Sequence, residues 1–408
     1  MKILPILLFF LSHTLFLFSS IDLGVDLFFQ DGHLEALKGK RVGLITNHTG
    51  VDKRLRRTAS LLKEHEKDYS FVALFAPEHG INGVAYASEK VEGEKSVLGL
   101  PVHSLHGKTR RPTEEMLKGI DVLIYDIQDI GVRSFTYIST LFYVMEEAVK
   151  KNIEVIVLDR PNPIDGLLVD GPMMEEKWRS FIGYANVPYC HGMTAGELAL
   201  FFNTEYKIKC KLKVVKMRGW KRAMSFKDTG LYWVPPSPHM PEADTPLFYA
   251  TTGIIGQLSV VNIGVGYTLP FKLIGTPWIN GKELALKLNE QKLPGVHFVP
   301  FYYRPFYGMF KAEDCEGVMI VATNSETFRP LSVQYMIIGI LKTLYPKKME
   351  PKIKSISSNA KNLFAKANGS EIIYSLLETE KYPAWKMIAH QKEEREAFLI
   401  KRQKYLLY

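Results

Sequence analysis

The chain has 408 residues, of which 46% are hydrophobic and 23% charged, and it carries a formal net charge of +9. This length exceeds one ordinary hydrophobic core and predicts two domains, and the composition excludes a disordered or fibrous protein. The basic residues form no block interleaved with aromatic residues, which argues against nucleic acid and leaves an acidic polymer such as cell-wall glycan, or an anionic membrane surface, as the partner that charge favours.

Residues 1–20 have the organisation of a targeting segment. Lys2 supplies a positive charge, residues 3–18 are almost wholly apolar, and Ser19 and Ser20 offer small residues for cleavage. The apolar span is short for a membrane helix, and no cysteine follows it that could carry a lipid anchor. We therefore predict a signal peptide over 1–20, export to the periplasm or beyond a bacterial cell, and no permanent membrane span after cleavage.

Strand-like and helix-like segments alternate from Lys40 to about Met217, which predicts an α/β domain with a parallel sheet and right-handed crossovers. Thr194 and Glu197 stand at the spacing of a capping box. The pattern changes at Gly219, so the predicted domains are 21–218 and 219–408. The first is predicted to contain helices at 59–67, 113–118, 135–151 and 195–206. The second is predicted to contain a strand-like stretch at 253–266, helices at 281–291 and 333–344, a strand at 317–323 and a helical tail at 371–408.

Polar residues follow four apolar, strand-like runs, at 42–45, 72–75, 122–125 and 155–158. Because the carboxyl ends of parallel strands face one crevice of an open sheet, we expect these residues to converge on one site. The arrangement is typical of an enzyme or a ligand-binding protein. The residues are Thr46, Asn47 and His48, then Pro77, Glu78 and His79, then Asp126, Gln128 and Asp129, and finally Asp159, Arg160 and Asn162.

Several familiar chemistries are excluded by missing motifs. The chain has no dinucleotide-binding glycine loop, no phosphate-binding loop with its lysine and no Gly-x-Ser-x-Gly nucleophile elbow, so a dehydrogenase, a nucleotidase and a serine hydrolase are not expected. Cys190, Cys210 and Cys315 lack metal-ligand spacing. We predict buried thiols there, with one disulfide as the alternative in an oxidising compartment, and no metal or cofactor.

Five motifs occur in order along the chain. They are Ala76-Pro-Glu-His-Gly80; Asp126-Ile-Gln-Asp-Ile-Gly-Val-Arg133 followed by Thr136-Tyr137; Asp159-Arg-Pro-Asn-Pro163; His191-Gly-Met-Thr194; and Pro236-Ser-Pro-His-Met-Pro241. The series resembles that of the NamZ-type exo-β-N-acetylmuramidases, from about Gly24 to Tyr408. The resemblance implies a Rossmann-like N-terminal domain without a nucleotide, a smaller α+β C-terminal domain and a cleft between them. It also implies removal of terminal N-acetylmuramic acid from peptidoglycan fragments.

The chain has carboxyl groups at the positions that such a hydrolysis reaction would need. Glycoside hydrolysis usually needs one protonated carboxyl group to assist the leaving oxygen and a second carboxylate to activate water or attack carbon. Glu78 is the best acid candidate because it follows a buried strand, where partial burial favours the protonated form. Asp126 and Asp129 are the other catalytic candidates. The alternative for Glu78 is a structural role, as a helix cap or as a partner of His79 or Arg133.

The resemblance also suggests substrate contacts. Arg133 is expected to pair with the lactyl carboxylate of muramic acid, and Tyr137 to stack on a sugar face. An internal bridge and a core position are the alternatives for these two. His191 and His239 are expected to bond sugar hydroxyls, with satisfied loop histidines as the alternative. The remaining expected contacts with substrate are Asn47, His79, Gln128, Asp159, Arg160, Asn162 and Gln257.

The chain departs from the family pattern in its second half. Gln257 stands where the family carries a glutamate, Val265 where it carries an arginine, His239 where it carries an asparagine, and Asn82 where it carries an arginine. A glutamine cannot act as a base. Two functions therefore stay open, an exported exo-β-N-acetylmuramidase of cell-wall turnover or recycling and a catalytically silent or specificity-shifted glycan-binding relative. An unrelated envelope scaffold protein is the third alternative.

Overall fold

The computed structural model describes residues 20–86, 89 and 97–408. The predicted signal peptide lies outside the described residues except for its last position. Within the described ranges, no helix combines the length and the apolar character needed to cross a membrane.

Six parallel strands form the main sheet, in the order β3-β2-β1-β4-β5-β6. They are β1 (Arg41–Thr46), β2 (Ser70–Ala76), β3 (Val102–Ser104), β4 (Val122–Asp126), β5 (Glu154–Leu158) and β6 (Lys211–Val215). Apolar residues over most of each central strand allow both faces of the sheet to be covered, and β4 is buried along its whole length. The order is that of the doubly wound dinucleotide-binding folds, so the predicted Rossmann-like class is confirmed.

Four helices accompany this sheet: α1 (Gly24–Gln30), α2 (Thr58–Glu64), α3 (Tyr137–Lys150) and α4 (Ala195–Glu205). The predicted capping box begins α4, because the Thr194 hydroxyl accepts from the Glu197 amide at 3.2 Å and the Glu197 carboxylate accepts from the Thr194 amide at 3.0 Å. The predictions at 59–67, 135–151 and 195–206 are confirmed to within three residues at each end. The helix predicted at 113–118 is wrong, and the segment forms turns. So short a helix depends on packing for its stability, and residues 113–115 and 118 are exposed.

The second half contains a three-stranded antiparallel sheet in the order β7-β9-β8. Its strands are β7 (Leu273–Thr276), β8 (Val296–Tyr303) and β9 (Cys315–Ala322). Its helices are α5 (Thr245–Gly256), α6 (Gly281–Asn289), α7 (Pro330–Leu344), α8 (Pro346–Lys354), α9 (Ser358–Asn368), α10 (Ile372–Thr379), α11 (Ala384–Ala389) and α12 (Lys392–Arg402). The elements predicted at 281–291, 317–323, 333–344 and 371–408 are confirmed.

The strand-like stretch predicted at 253–266 is wrong. Its first four residues complete α5, and turns follow, with an isolated bridge between Asn262 and Gly275. Gly264 and Gly266 have φ angles of 78° and 93°, which are left-handed turn conformations that suit glycine. The glycines that suggested a strand therefore serve tight turns.

The two halves share one hydrophobic core. It joins residues of α3, such as Leu141, to residues of α5 and α7, such as Ile254 and Ile337. A second core covers the opposite face of the main sheet under α1 and α2. This packing brings α5 and α9 toward the carboxyl end of the main sheet. The predicted boundary at 218/219 stays a prediction. All three cysteines are buried and free.

Candidate active site

A cavity of about 250 Å³ lies where the two halves meet. Its N-terminal wall comes from the loops after β2 and before α3, and its C-terminal wall comes from the 237–240 segment, α5 and α9. Four of the site residues predicted from the sequence line it, namely Glu78, His79, His239 and Gln257. The cavity thus contains one carboxyl group, two imidazoles and one amide that the sequence singles out.

Glu78 lies two residues after the end of β2 and is 8% exposed. The Thr136 hydroxyl donates to Glu78 Oε2 at 2.6 Å, and His106 Nε2 lies 3.6 Å from Oε1. Thr136 immediately precedes α3 and also lines the cavity. Two neighbours on different elements therefore fix the orientation of this carboxyl group, as acid catalysis requires.

His106 is a residue that the sequence does not indicate. It follows β3, which has only three residues and therefore gives no recognisable apolar run. The imidazole is buried against the Phe181 ring, 5.8 Å away between centroids. Burial lowers the pKa of His106, against the opposing effect of the Glu78 charge. A neutral imidazole adds no positive charge beside Glu78, whereas a cation there would favour the ionised form of a carboxyl group.

The two histidines that line the cavity are held by loop contacts. His79 has a φ of 71°, and its Nδ1 is hydrogen-bonded to the Ala85 carbonyl at 2.7 Å. His239 Nε2 is hydrogen-bonded to the Tyr307 hydroxyl at 2.6 Å. Burial, with the nearby His79, lowers the pKa of His239, so that imidazole is neutral at pH 7.

Three hydroxyl groups form another part of the wall. Ser134 Oγ lies 2.8 Å from the Tyr189 hydroxyl and 3.2 Å from the Tyr249 hydroxyl. Burial raises the pKa of both tyrosines, so their hydroxyls stay protonated. Hydroxyls that both donate and accept suit the hydroxyl and amide groups of an amino sugar. Tyr249 lies within α5, whose sequence contains none of the motifs.

Asp126 and Arg160 lie outside this cavity. Arg160 Nε donates to Asp126 Oδ1 at 2.6 Å and its Nη2 donates to Oδ2 at 2.9 Å, while the Thr58 hydroxyl donates to Oδ2 at 2.5 Å. Both side chains are buried beside the junction of β1 and β4, where related folds bind their ligands. The expectation that every strand-end residue shares one cleft is corrected here, because these two residues bond each other instead.

The other strand-end residues tie loops together. Asp159 accepts from the Thr194 hydroxyl and the Gly196 amide at the start of α4 and from the Tyr408 hydroxyl, and burial raises its pKa to about 6. Gln128 donates to two backbone carbonyls, Asn162 donates to the Met193 carbonyl and Asn47 accepts from the Thr49 amide and hydroxyl. Asp159, Gln128, Asn162 and Asn47 do not line the cavity.

Arg133, Tyr137 and His191 are also interior residues. Arg133 donates to four backbone carbonyls, of Pro172, Val187, Ala367 and Asn368. Its guanidinium therefore joins α9 to the first half, which corrects the expected pairing with a substrate carboxylate. Tyr137 is fully buried and donates to the Pro236 carbonyl at 2.6 Å. His191 is 1% exposed, and burial lowers its pKa to about 3.

Asp129 lies behind the cavity wall. Its Oδ2 accepts from the Gly131 amide at 2.7 Å, whereas its buried Oδ1 has no hydrogen-bond partner among the described residues. Burial raises the pKa of Asp129 to about 7. Its charge acts on Tyr137 and Tyr249, which places the carboxyl group near the hydroxyl-rich wall. In the part of the chain that the structure describes, no cluster of three potential metal ligands occurs.

A fixed carboxyl group in a hydroxyl-lined cavity is compatible with glycoside hydrolysis, which needs a carboxylic acid beside the leaving oxygen. Comparison with known proteins shows the family. Residues 42–244 match the N-terminal model and residues 247–408 the C-terminal model of exo-beta-N-acetylmuramidase NamZ. The chain belongs to this family of glycosidases. It is 43% identical over 333 residues to the peptidoglycan beta-N-acetylmuramidase NamZ of Bacillus subtilis (strain 168), an alignment covering 81% of this chain and 79% of that protein.

Two solved structures share the fold. A DUF1343 family protein from Bacteroides fragilis NCTC 9343 has a TM-score of 0.88 and 41% identity, over 95% of this chain and 99% of that chain. A second DUF1343 family protein from the same strain has a TM-score of 0.71 and 26% identity, over 96% of this chain and 99% of that chain.

Proposed function

We propose that the chain is an exported hydrolase that removes terminal β-linked N-acetylmuramic acid from peptidoglycan fragments during cell-wall turnover or recycling. The observation that carries this proposal is the Glu78 carboxyl group, which faces the cavity between Thr136 and His106. The activity of the Bacillus subtilis relative supports the choice of sugar. The targeting segment over 1–20 supports export to the periplasm or the exterior.

Glu78 acts as the general acid in this proposal. It donates its proton to the glycosidic oxygen as the bond from that oxygen to the sugar breaks. Water supplies the new oxygen on the sugar carbon, and the second carboxylate accepts the proton that this water loses. Asp129 is the better candidate for the second carboxyl role, because one of its oxygens has no hydrogen-bond partner in the described structure and its pKa is about 7. Asp126 is less suited, since Arg160 holds both of its oxygens.

A muramic acid glycoside tests the proposal. The mature chain is incubated with the glycoside, and release of N-acetylmuramic acid is measured by chromatography. Wild type is expected to release the sugar, and Glu78→Gln is expected to lower turnover by roughly 10²- to 10⁴-fold, the usual contribution of acid–base assistance. Melting temperature and glycoside binding are measured as controls and should not change. Equal turnover by Glu78→Gln would mean that another group is the acid.

The glycan-binding alternative rests on Gln257, which lines the cavity and has no acid–base chemistry. In that case wild type binds the glycoside and releases no sugar. Gln257→Glu is the companion variant. A gain of activity on restoring this carboxyl group would identify Gln257 as the site of a lost catalytic function.

A further inference from the structure

Large aromatic side chains are exposed near the mouth of the cavity. Phe306 is 64% and Tyr307 is 46% exposed, on the loop between β8 and β9, and Tyr86 is 63% exposed on the loop after β2. Exposed apolar surface with polar neighbours is typical of a ligand-binding surface. None of these three residues belongs to the motifs of the sequence or to the lining of the cavity.

Tyr307 is linked directly to the cavity wall. Its hydroxyl is hydrogen-bonded to His239 Nε2 at 2.6 Å, and the two rings are 6.2 Å apart with an angle of 32° between their planes. His239 lines the cavity and Tyr307 does not. The tyrosine ring therefore extends the cavity wall outward by one side chain.

The backbone of this loop is held in place. The Phe306 amide donates to the Gly266 carbonyl at 2.7 Å, and the Phe306 ring stacks on Tyr267 at 5.7 Å between centroids. Gly266 has a φ of 93°, and a Cβ there would lie 2.0 Å from the Tyr307 carbonyl oxygen. Only glycine allows this approach, so the backbone that carries the Tyr307 ring is held before a ligand binds, which lowers the entropy cost of binding.

Tyr86 belongs to the opposite loop. The Ala85 amide and carbonyl are both hydrogen-bonded to His79, which attaches this loop to the cavity. Partial burial raises the pKa of Tyr307, and the charge of an ionised Tyr86 adds to that effect, so the two phenols are near each other. Aromatic side chains thus come to the cavity mouth from both halves of the chain.

The cavity volume limits what it encloses. About 250 Å³ is less than the ~300–1,000 Å³ of pockets that enclose drug-sized ligands. We take this to be room for one sugar unit, so the rest of a glycan fragment would lie outside, beside Tyr307. The two faces of a pyranose ring present C–H groups, which pack well on an aromatic face.

We propose that Tyr307 is a stacking platform for the sugar on the leaving-group side of the scissile bond, with Tyr86 on the opposite side of the mouth. The inference rests on the proposed hydrolase function and adds to it a preference for substrates whose leaving group is a sugar. The hydrogen bond between the phenol and His239 links this platform to the cavity wall.

Two substrates test the platform. One is the disaccharide of N-acetylmuramic acid β-linked to N-acetylglucosamine, and the other is methyl β-N-acetylmuramide, whose leaving group cannot stack. For Tyr307→Ala we expect KM for the disaccharide to rise roughly fivefold to tenfold, in line with the strength of aromatic packing. KM for the methyl glycoside should stay the same. Tyr307→Phe keeps the ring and should stay within about twofold of wild type on the disaccharide.

Tyr302→Ala is the matched control. Tyr302 is 60% exposed on β8, and its hydroxyl is hydrogen-bonded to Glu316 rather than to the cavity wall. The Tyr302→Ala variant should leave the KM values for both substrates unchanged. Equal effects of Tyr307→Ala on both substrates would overturn the platform, because Tyr307 would then act on the enclosed sugar through His239. No effect on either substrate would also overturn it.

Failure of hydrolysis is distinguishable from failure of the platform. If wild type cleaves neither substrate, the proposed function fails, and the platform is then judged by calorimetric binding of the disaccharide to wild type and Tyr307→Ala. Weakening of binding by roughly fivefold or more supports the platform. Equal affinity, or no binding to wild type, overturns it. Circular dichroism and melting temperature establish that each variant is folded.

Discussion

Two strand-end regions of the main sheet differ in how their carboxylates are used. Asp126, at the end of β4, and Glu78, just after β2, are both buried at the carboxyl edge of the sheet. Arg160 and Thr58 bond both oxygens of Asp126. Glu78 is also held by neighbours, but it lines a cavity. A strand end therefore brings polar groups together, while the packing above it decides whether any of them meets a ligand.

The covering elements account for the difference. Near β1 and β4, the Arg160 side chain donates to both oxygens of Asp126 and to the Val51 carbonyl at 2.6 Å. Above β2, the cavity roof comes from the second half, including Gln257 at the end of α5 and Leu363 of α9. A buried ion pair with satisfied hydrogen bonds is a structural feature, whereas an enclosed space beside a carboxyl group is a feature of binding.

The largest expected effect is the loss of stability caused by Asp126→Asn. Removing one partner of a buried ion pair leaves the Arg160 charge without compensation, so the free energy of unfolding should fall by about 3–5 kcal/mol. Turnover per folded molecule should stay close to wild type. Urea denaturation measures the first quantity and sugar release from a muramic acid glycoside the second. Lost turnover with unchanged stability would place Asp126 in the catalytic site and remove the distinction between the two regions.

The sequence predicts the strand ends well and the direction of side chains poorly. Glu78 is predictable because β2 has seven residues with a long apolar run, whereas the three residues of β3 leave His106 without a signal. In the segment that leads into α3, Ser134 and Thr136 line the cavity, while Arg133 and the first helical residue, Tyr137, point into the protein.

The C-terminal wall of the cavity is harder to predict from the sequence than the N-terminal wall. The motif around His239 indicates one part of it, but Tyr249 and Leu363 reach the cavity from the middle of helices. Their positions depend on how α5 and α9 pack on the first half, and the carbonyls of Ala367 and Asn368 that Arg133 binds belong to that packing. Contacts between residues 234 and 235 positions apart cannot be inferred from local patterns.

A smaller effect is expected from His106, which positions Glu78 from the end of β3. His106→Ala should lower kcat by roughly tenfold to a hundredfold with little change in KM, because a misplaced general acid loses its alignment with the leaving oxygen. His106→Gln keeps a polar side chain of similar length and should recover most of the loss. Equal losses in both variants would mean that the imidazole itself takes part in the reaction. A change confined to melting temperature would make His106 a packing residue only.

The smallest expected change in stability concerns Asp129, which is buried like Asp126 but has one oxygen without a hydrogen-bond partner among the described residues. Its pKa is about 7 in the folded protein, against an ordinary value of 3.8, because the carboxyl group is buried. Below about pH 4 both the folded and the unfolded chain hold this proton. Between about pH 4 and pH 7 only the folded chain holds it, so the stability linked to Asp129 decreases as the pH rises and is fully lost above pH 7.

Asp129→Asn should remove this dependence. The wild-type melting temperature is expected to fall more between pH 5 and pH 8 than that of the variant, by a few degrees for a stability difference of about 1–2 kcal/mol. Other titrating groups are common to both proteins, so the difference between the two curves isolates Asp129. Parallel curves would mean that Asp129 is ionised in the folded protein throughout this range. In that case its unpartnered oxygen would carry a negative charge beside Tyr249 at neutral pH, and Asp129 would be available as a base before any substrate binds.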